Sequence, residues 1–469
     1  MYYGCSKGEF VRDFTKEILK ASAALFVGSG LSRPAGYAGW KDILKEVAGD
    51  IGLDVEKEDD LISLAEYYVN SKGRTKIDTT ISEFFSKDYD LTENHSLLAS
   101  LPITSFWTTN YDRLLEKSFE QKNSTYSVLT DDESFKKFID RNGIILHKLH
   151  GDVEMPHKAV ITKKDYEEFA YRHEILLAKL KGEMCAKSFL FLGYSLNDTD
   201  INHILARIRL FYKDNPPKKH YCIMARVSSS EADLDYKQRK QEHRIEDLKS
   251  YGIHSVLVDN FDEITDILKE IRCCISKNNV FISGAFEEDT VSKDYAKYAR
   301  DISEWLIEND YKIYTGYGKN IGAEIVAGAF EGCKKAKSSV KKFNESVYLF
   351  PFPYNSAMDE SERKKLYIDL RKNAILNTHI TIIVNGTRRD IKSGVLENSP
   401  GIFEEVQISL EQENLVIPVA VSGGAASAVW EEMNALDTEY VKSNYFQTLK
   451  LGKTYEEVFE AIKKILYKY

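Results

Sequence analysis

Several short polar clusters sit immediately after apolar runs of strand length, where a fold can present chemistry. Gly28, Ser29, Gly30 and Ser32 follow the run 23–27, and Thr108, Thr109, Asn110 and Asp112 follow 103–107. His150, Gly151 and Asp152 follow 143–149, and Gly193, Tyr194 and Ser195 follow 188–192. Ligands of open parallel sheets bind outside the carboxyl ends of the strands. If these runs are strands, their ends converge on one crevice. Gly28 and Gly30 would let backbone approach a phosphate closely, although position 33 is arginine and the dinucleotide fingerprint is incomplete. Each cluster has a plainer reading. Gly28-x-Gly30 could be a tight turn, Asn110 a turn residue, Asp112 a helix cap, and His150 a hydrogen-bonded histidine at a strand end. Convergence of the separate ends is a stronger signal than any one residue.

A second set recurs later. Ser283 and Gly284 follow the run 280–282; Gly316, Gly318 and Lys319 follow 312–315 and lead into a helical pattern at 323–330. Backbone N–H groups at a helix start, with glycines allowing close approach, make an anion site. A Gly-rich turn without ligand is the alternative, but two such turns in one unit favour a nucleotide or phosphate. Arg371 suits bidentate phosphate contact, or belongs to a solvated basic face. Glu405, at the start of another helix, could accept from ribose hydroxyls or simply favour the helix N-terminus.

The elements that must position these residues alternate. In the first half, apolar runs at 23–27, 103–107, 143–149, 188–192, 219–224 and 253–258 are separated by amphipathic patterns such as 40–47 and 112–119. A closing helix is expected at 261–274 and a polar linker at 276–279. The alternation then restarts, with runs at 280–282, 312–315, 347–352, 379–384 and 415–421 and a final helix at 455–466. The fold class this implies is α/β: two Rossmann-like three-layer units with mainly parallel sheets. The boundary is set at 277, giving units 1–277 and 278–469. The units show no fixed-period repeat, so they are not duplicates.

Composition narrows the function. The chain has 469 residues, 43% hydrophobic and 29% charged, with a net charge of −9. An acidic chain disfavours nucleic acid as a partner. No apolar run approaches the roughly 18–20 residues that span a bilayer, and the N-terminus lacks the apolar core of a secretory signal. A cytoplasmic protein with no membrane association is expected. The six cysteines form no C-x-x-C pair, so no zinc module, disulfide scaffold or other metal site is expected. His147, an odd number of residues from His150, points to the opposite strand face and reads as packing. The stretch Asn197-Asp198-Thr199-Asp200 reads as a helix cap rather than a cation loop.

The motifs GSGLS at 28–32, TTNYD at 108–112, LHG at 149–151 and FLGYS at 191–195 resemble, in order, the motif series of sirtuin-like NAD-consuming domains. The resemblance covers most of residues 10–270. It implies that the Gly-rich turn holds a pyrophosphate, that Asn110 and Asp112 contact the nicotinamide ribose and nicotinamide, and that His150 is the base. Gly28, Ser29, Gly30, Ser32, Gly193 and Ser195 would then line the NAD site. Sirtuin deacylases carry a zinc module with two C-x-x-C pairs, which this chain lacks. Deacylation or ADP-ribosyl transfer is therefore the lesser alternative, and water becomes the natural acceptor. A non-catalytic nucleotide sensor is the third reading. The implied reaction converts NAD, as substrate and not as a tightly bound cofactor, to nicotinamide and ADP-ribose.

The second unit looks like the SLOG family of nucleotide-sensing domains. A sirtuin-like domain followed by a SLOG domain resembles the NAD-depleting effectors of the bacterial Thoeris anti-phage defence system, with further echoes in DLTENH at 90–95, WTTNYDRLLEK at 107–117 and HGDVE at 150–154. The resemblance implies a cyclic ADP-ribose isomer as activator, made by a TIR-domain partner and bound by the SLOG domain. It also implies a homotetramer or larger assembly. Ser283, Gly284, Gly316, Gly318, Lys319, Arg371 and Glu405 become the candidate signal contacts. Asn398-Ser399-Pro400 precede Gly401, so a further basic contact to a diphosphate would come from elsewhere, with Lys392 a candidate.

Overall fold

Long parallel strands buried on both faces become continuous apolar runs, and that pattern governs both sheets of this chain. The computed structural model describes all residues except 1–3, 38, 138–142, 197–198, 213–216, 230, 232, 288–292, 336–339, 354–358, 391–392 and 469. Lys392 and the Asn197-Asp198 pair lie outside the described residues. The chain divides into two units, Met1–Ile275 and Ser276–Tyr469.

The first unit is built on β1 (Ala23–Val27), β2 (Ser105–Thr108), β3 (Tyr126–Leu129), β4 (Ile144–Lys148), β5 (Ser188–Leu192), β6 (His220–Ala225) and β7 (Ile253–Val258). They form one sheet in the order β3-β4-β2-β1-β5-β6-β7, with every pair parallel. Every residue of β1 and β5 is buried. Aromatic and aliphatic residues of helix Lys7–Leu19 cover one face, and those of helix Glu174–Ala186 the other. Ser6 caps the first of these helices, accepting from Glu9 N at 3.2 Å.

The chain leaves β1 towards β2 on one side and returns to β5 on the other, so the order reverses at β1. Register then aligns the strand ends: Val27 pairs with both Thr108 and Leu192, and Thr108 pairs with Lys148. The residues that follow these positions emerge side by side at the reversal point, where α/β sheets take their ligands. Helices Trp40–Gly49, Leu61–Lys72 and Thr75–Phe85, inserted between β1 and β2, pack a separate core. Tyr111, Val153 and Ile161 from the loops beyond β2 and β4 complete it.

The second unit carries β8 (Asn279–Ala285), β9 (Lys312–Thr315), β10 (Val347–Leu349), β11 (Ile380–Asn385), β12 (Thr387–Arg389), β13 (Leu396–Asn398) and β14 (Leu415–Val419). Its main sheet is parallel, in the order β10-β9-β8-β11-β14, and β12 and β13 form a small antiparallel ribbon. β11 is buried along its whole length. Asn279, which the sequence suggests is linker, is the first residue of β8. The helix expected at 323–330 runs from Ile321 to Lys335. Neither β3 nor the β12–β13 ribbon is expected from sequence. Among the described residues, no helix is long and apolar enough to cross a membrane, and no cluster of potential ligands could hold a metal ion.

Candidate active site and nucleotide turns

After β1 the chain enters a short helix, Ser29–Ser32, then a 3-10 turn, Arg33–Ala35. The turn after β5 packs directly on it. Gly28 N donates to Leu192 O and Gly30 N to Gly193 O, each at 2.9 Å. Gly193 has φ +63°, and a Cβ there would stand 2.4 Å from Leu31 N. A Cβ on Gly28 would meet Gly193 O at 2.4 Å. Glycine is therefore required on both turns because the two backbones touch each other.

Beyond these turns opens a cavity of about 910 Å³. Ser29, Gly30, Ser32, Asn110, Asp112, His150, Gly193 and Ser195 line it, and Gly28 does not. Asn110 and His150, from the ends of β2 and β4, thus share one cavity. Ser32 lies between the polar groups: its Oγ accepts from Asn110 Nδ2 at 3.1 Å and donates to Asp112 Oδ2 at 2.8 Å. Asp112 Oδ1 accepts from Leu114 N at 3.1 Å. The N-cap of helix Leu114–Gln121 is Arg113, without a side-chain cap; Asp112, one residue before it, ties the start of that helix to the chain of hydrogen bonds that orients Asn110. His150 is nearly buried, its ring edge-on to Tyr166 and Phe169 at 5.4 and 5.7 Å. Its carbonyl accepts from Val160 N at 2.9 Å.

The cavity continues past the end of β6 to Met224, Ala225, Arg244, Phe261 and Thr265. Asn94, also in its wall, accepts from Thr265 Oγ1 at 2.9 Å. Next to Asn94, His95 is buried with Nδ1 2.7 Å from Thr92 Oγ1. Burial pushes its pKa down to about 4, against the pull of Asp112. His147 packs as expected: fully buried, stacked on Trp107 at 3.7 Å and bonded through Nδ1 to Phe106 O at 3.0 Å.

Sequence reasoning missed Lys148. The side chain is completely buried beneath the Asn110 and His150 turns. The signal was present: a lysine inside an apolar run, where burial demands partners. Burial alone would lower its pKa, but Glu116 and Asp152 hold it above the usual value.

In the second unit the candidate signal residues do not form a single cluster. Ser283 Oγ donates to Glu405, which is buried and lies 3.5 Å from Arg371 Nε. Arg371 Nη1 also reaches Glu404 at 2.7 Å, and its guanidinium lies over Phe352 and Tyr367. Burial raises the Glu405 pKa, and the hydrogen bond from Ser283 and the Arg371 charge oppose that. Gly284 and Gly318 lie against each other: a Cβ on Gly318 would sit 2.1 Å from Gly284 O. Gly316 stands apart from them, against the Phe352 ring. Lys319 pairs with Glu287 at 2.6 Å.

A reversal-point crevice on the first sheet and paired glycine turns on the second define a class: a SIR2-like unit followed by a SLOG unit. Comparison with known families agrees. The SIR2-like domain matches residues 104–255, and the Sir2- and TIR-associating SLOG family matches 263–469. NAD(+) hydrolase ThsA of Bacillus cereus (strain MSX-D12) is 36% identical over 433 residues, covering 91% of this chain and 89% of the relative. The protein of the same name from Enterococcus faecium is 33% identical over 98% of both chains, and that from Cytobacillus dafuensis 32% identical over 91% of this chain and 88% of its own. The chain belongs to the ThsA family.

Proposed function

We propose that this protein is an NAD hydrolase that depletes NAD in anti-phage defence, switched on by a cyclic ADP-ribose isomer at its SLOG unit. The observation that carries the reading is the meeting of Asn110 and His150, from separate strand ends, in the cavity bordered by the Gly30 and Gly193 turns. The names of the relatives, NAD(+) hydrolase, point the same way. In this reading the pyrophosphate lies along Ser29, Gly30, Gly193 and Ser195. Asn110, oriented through Ser32 and Asp112, holds the nicotinamide ribose.

The C1′–N bond breaks with its electron pair leaving on the nicotinamide nitrogen, so the pyridinium departs as a neutral ring. Positive charge passes to the ribose as an oxocarbenium-like state. Water adds at C1′, and His150 accepts its proton, a task suited to imidazole near neutral pH. NAD and water give nicotinamide, ADP-ribose and a proton.

The second unit supplies the gate. A signal changes activity only by binding the active arrangement more tightly than the resting one. Ser283, Gly284, Gly316, Gly318, Lys319, Arg371 and Glu405 are the proposed contacts. A TIR-domain enzyme would supply the signal, a homotetramer or larger assembly would be the switching element, and the site of action would be the cytoplasm. The test is an NAD-cleavage assay on the full chain with and without cyclic ADP-ribose isomers and with no acyl or ADP-ribose acceptor. Activated wild type should release ADP-ribose steadily, and Asn110→Ala and His150→Ala should not. ADP-ribose at the wild-type rate from either variant would refute the site. Turnover only with an added acceptor would favour the transferase reading.

A further inference from the structure

A methionine in place of Lys148 would fill the same space without the cost of burying a charge. The lysine is nevertheless there, fully buried and outside the walls of the cavity. Its four acceptors belong to two turns and one helix. It donates to Tyr111 O at 3.1 Å and Asp112 O at 2.7 Å, the carbonyls directly after Asn110. It pairs with Asp152 Oδ2 at 2.5 Å, two residues beyond His150. It also donates to Glu116 Oε1 at 2.9 Å, on helix Leu114–Gln121. The turns share other ties: Val153 N donates to Tyr111 O at 3.1 Å, and Tyr111 Oη to Val160 O at 2.7 Å. Of the two carboxylates, Glu116 is a weaker acid than usual because of burial, and among the described residues its Oε2 has no hydrogen-bond partner.

We propose that Lys148 is a positioning residue: clamped by Glu116 and Asp152, its ammonium fixes the Asn110 turn against the His150 turn so that both side chains face one sugar. It touches no substrate atom. The proposal rests on the NAD-cleavage reading of that site and adds the element that sets its geometry. Misplacing a reacting group by about 1 Å costs on the order of 100-fold in rate.

The experiment compares full-length wild type, Lys148→Met, Lys148→Arg and Asp152→Asn. It measures kcat and KM for NAD with the cyclic ADP-ribose isomer that activates wild type, the pH profile of kcat, thermal melting, and amide hydrogen exchange over residues 108–114 and 149–154. In Lys148→Met, kcat should fall on the order of 100-fold while KM changes less than about threefold. The pH profile should keep its shape, since His150 remains the base. Both segments should exchange faster together, with β1 and β5 unchanged. Asp152→Asn should lose about tenfold in kcat, and Lys148→Arg should recover part of the loss relative to Lys148→Met. A kcat loss fully explained by the unfolded fraction, a raised KM with unchanged kcat, or unaltered exchange in the two segments would overturn the proposal. If Lys148→Met does not fold, Lys148→Arg and Asp152→Asn decide on the same readouts, and wild-type values in both would overturn it. If wild type itself cleaves no NAD, the hydrolase reading fails, and the exchange comparison alone decides the positioning role.

Discussion

Removing one hydroxyl separates the two roles that meet at Ser32. Its Oγ donates to Asp112 Oδ2 at 2.8 Å and accepts from Asn110 Nδ2 at 3.1 Å. In Ser32→Ala, among the described residues, Asp112 keeps the bond from Leu114 N to its other oxygen, and the oxygen facing Ser32 loses its donor in a buried setting. A hydrogen bond to a charged group contributes about 1.5–3 kcal/mol. At roughly 2–4 °C per kcal/mol for a unit of this size, melting should fall by about 3–12 °C. The rate should fall further than stability alone explains. From a typical folding stability of about 5–15 kcal/mol, a loss of this size leaves the protein almost entirely folded at 25 °C, so a stability effect should leave kcat per molecule unchanged. Loss of the hydroxyl frees the Asn110 amide to rotate, and kcat should fall by at least about tenfold, equivalent to about 1.4 kcal/mol at the transition state. Ser32→Thr, which retains the hydroxyl, should recover most of it. The assay is initial-rate NAD cleavage by activated full-length protein, beside a melting curve of the same preparation. A Ser32→Ala protein that melts early yet turns over NAD at the wild-type kcat would refute the claim that Ser32 orients Asn110.

Gly193→Ala combines an unfavourable left-handed φ with a Cβ 2.4 Å from Leu31 N, so it should lower the melting temperature and abolish NAD cleavage; wild-type melting would show that the turns are not locked together. His95, His147 and His220 are each held near pKa 4 by burial. Their neutral forms favour folding above the unfolded value of 6.5, and that contribution is lost as the pH falls from there towards 4. At pH 5 each should cost on the order of 2 kcal/mol relative to pH 8, and His220→Gln should flatten the acid limb of a stability–pH curve by about one proton. Arg371→Ala should destabilise the second unit by about 1–3 kcal/mol, because buried Glu405 loses the nearby cation that opposes its desolvation; denaturant unfolding measures this, and an unchanged midpoint would refute the pairing. A gentler probe is Gly401→Ala, whose Cβ would stand 2.3 Å from Arg371 Nη2: it should shift the guanidinium and weaken the activator response while leaving the charge in place.

The strands that place the site were legible because burial on both faces makes their sequences apolar throughout. AALFV and SFLFL lie fully inside the sheet, and their bounds match the runs read from sequence. β3, Tyr126–Leu129, is an edge strand with three half-buried residues, so its sequence carries no such run. The helical insertion between β1 and β2 was mostly invisible for another reason. Its core takes Tyr37 from before the insertion and Tyr111, Val153 and Ile161 from far beyond it, and no local window contains that contact set. Lys148 was hidden by its own neighbours. In GIILHKL it looks like a polar interruption at a strand end, and the groups that make its burial tolerable lie elsewhere, Glu116 at 32 residues' separation and Asp152 at four.

The glycines show where reading by motif stops. Gly28-x-Gly30 and Gly316-x-Gly318 both signal that something approaches the backbone closely, and in sequence a phosphate is the natural candidate. In the fold, the nearest approach at Gly28 and Gly30 is the Gly193 turn, and at Gly318 it is the Gly284 carbonyl. The left-handed positions in the second loop belong to Tyr317 and Asn320, at φ +53° and +60°, and not to its glycines. Glycine at a strand end therefore records how near two backbones come before any ligand arrives. That packing aligns neighbouring strand tips, and a crevice whose walls are already locked can hold an amide and an imidazole on one sugar without reorganising at each turnover. A glycine-rich turn is thus evidence for a rigid wall first and for a phosphate second, and in the proposed function the side chains beyond it, here Asn110 and His150, decide which chemistry the wall serves.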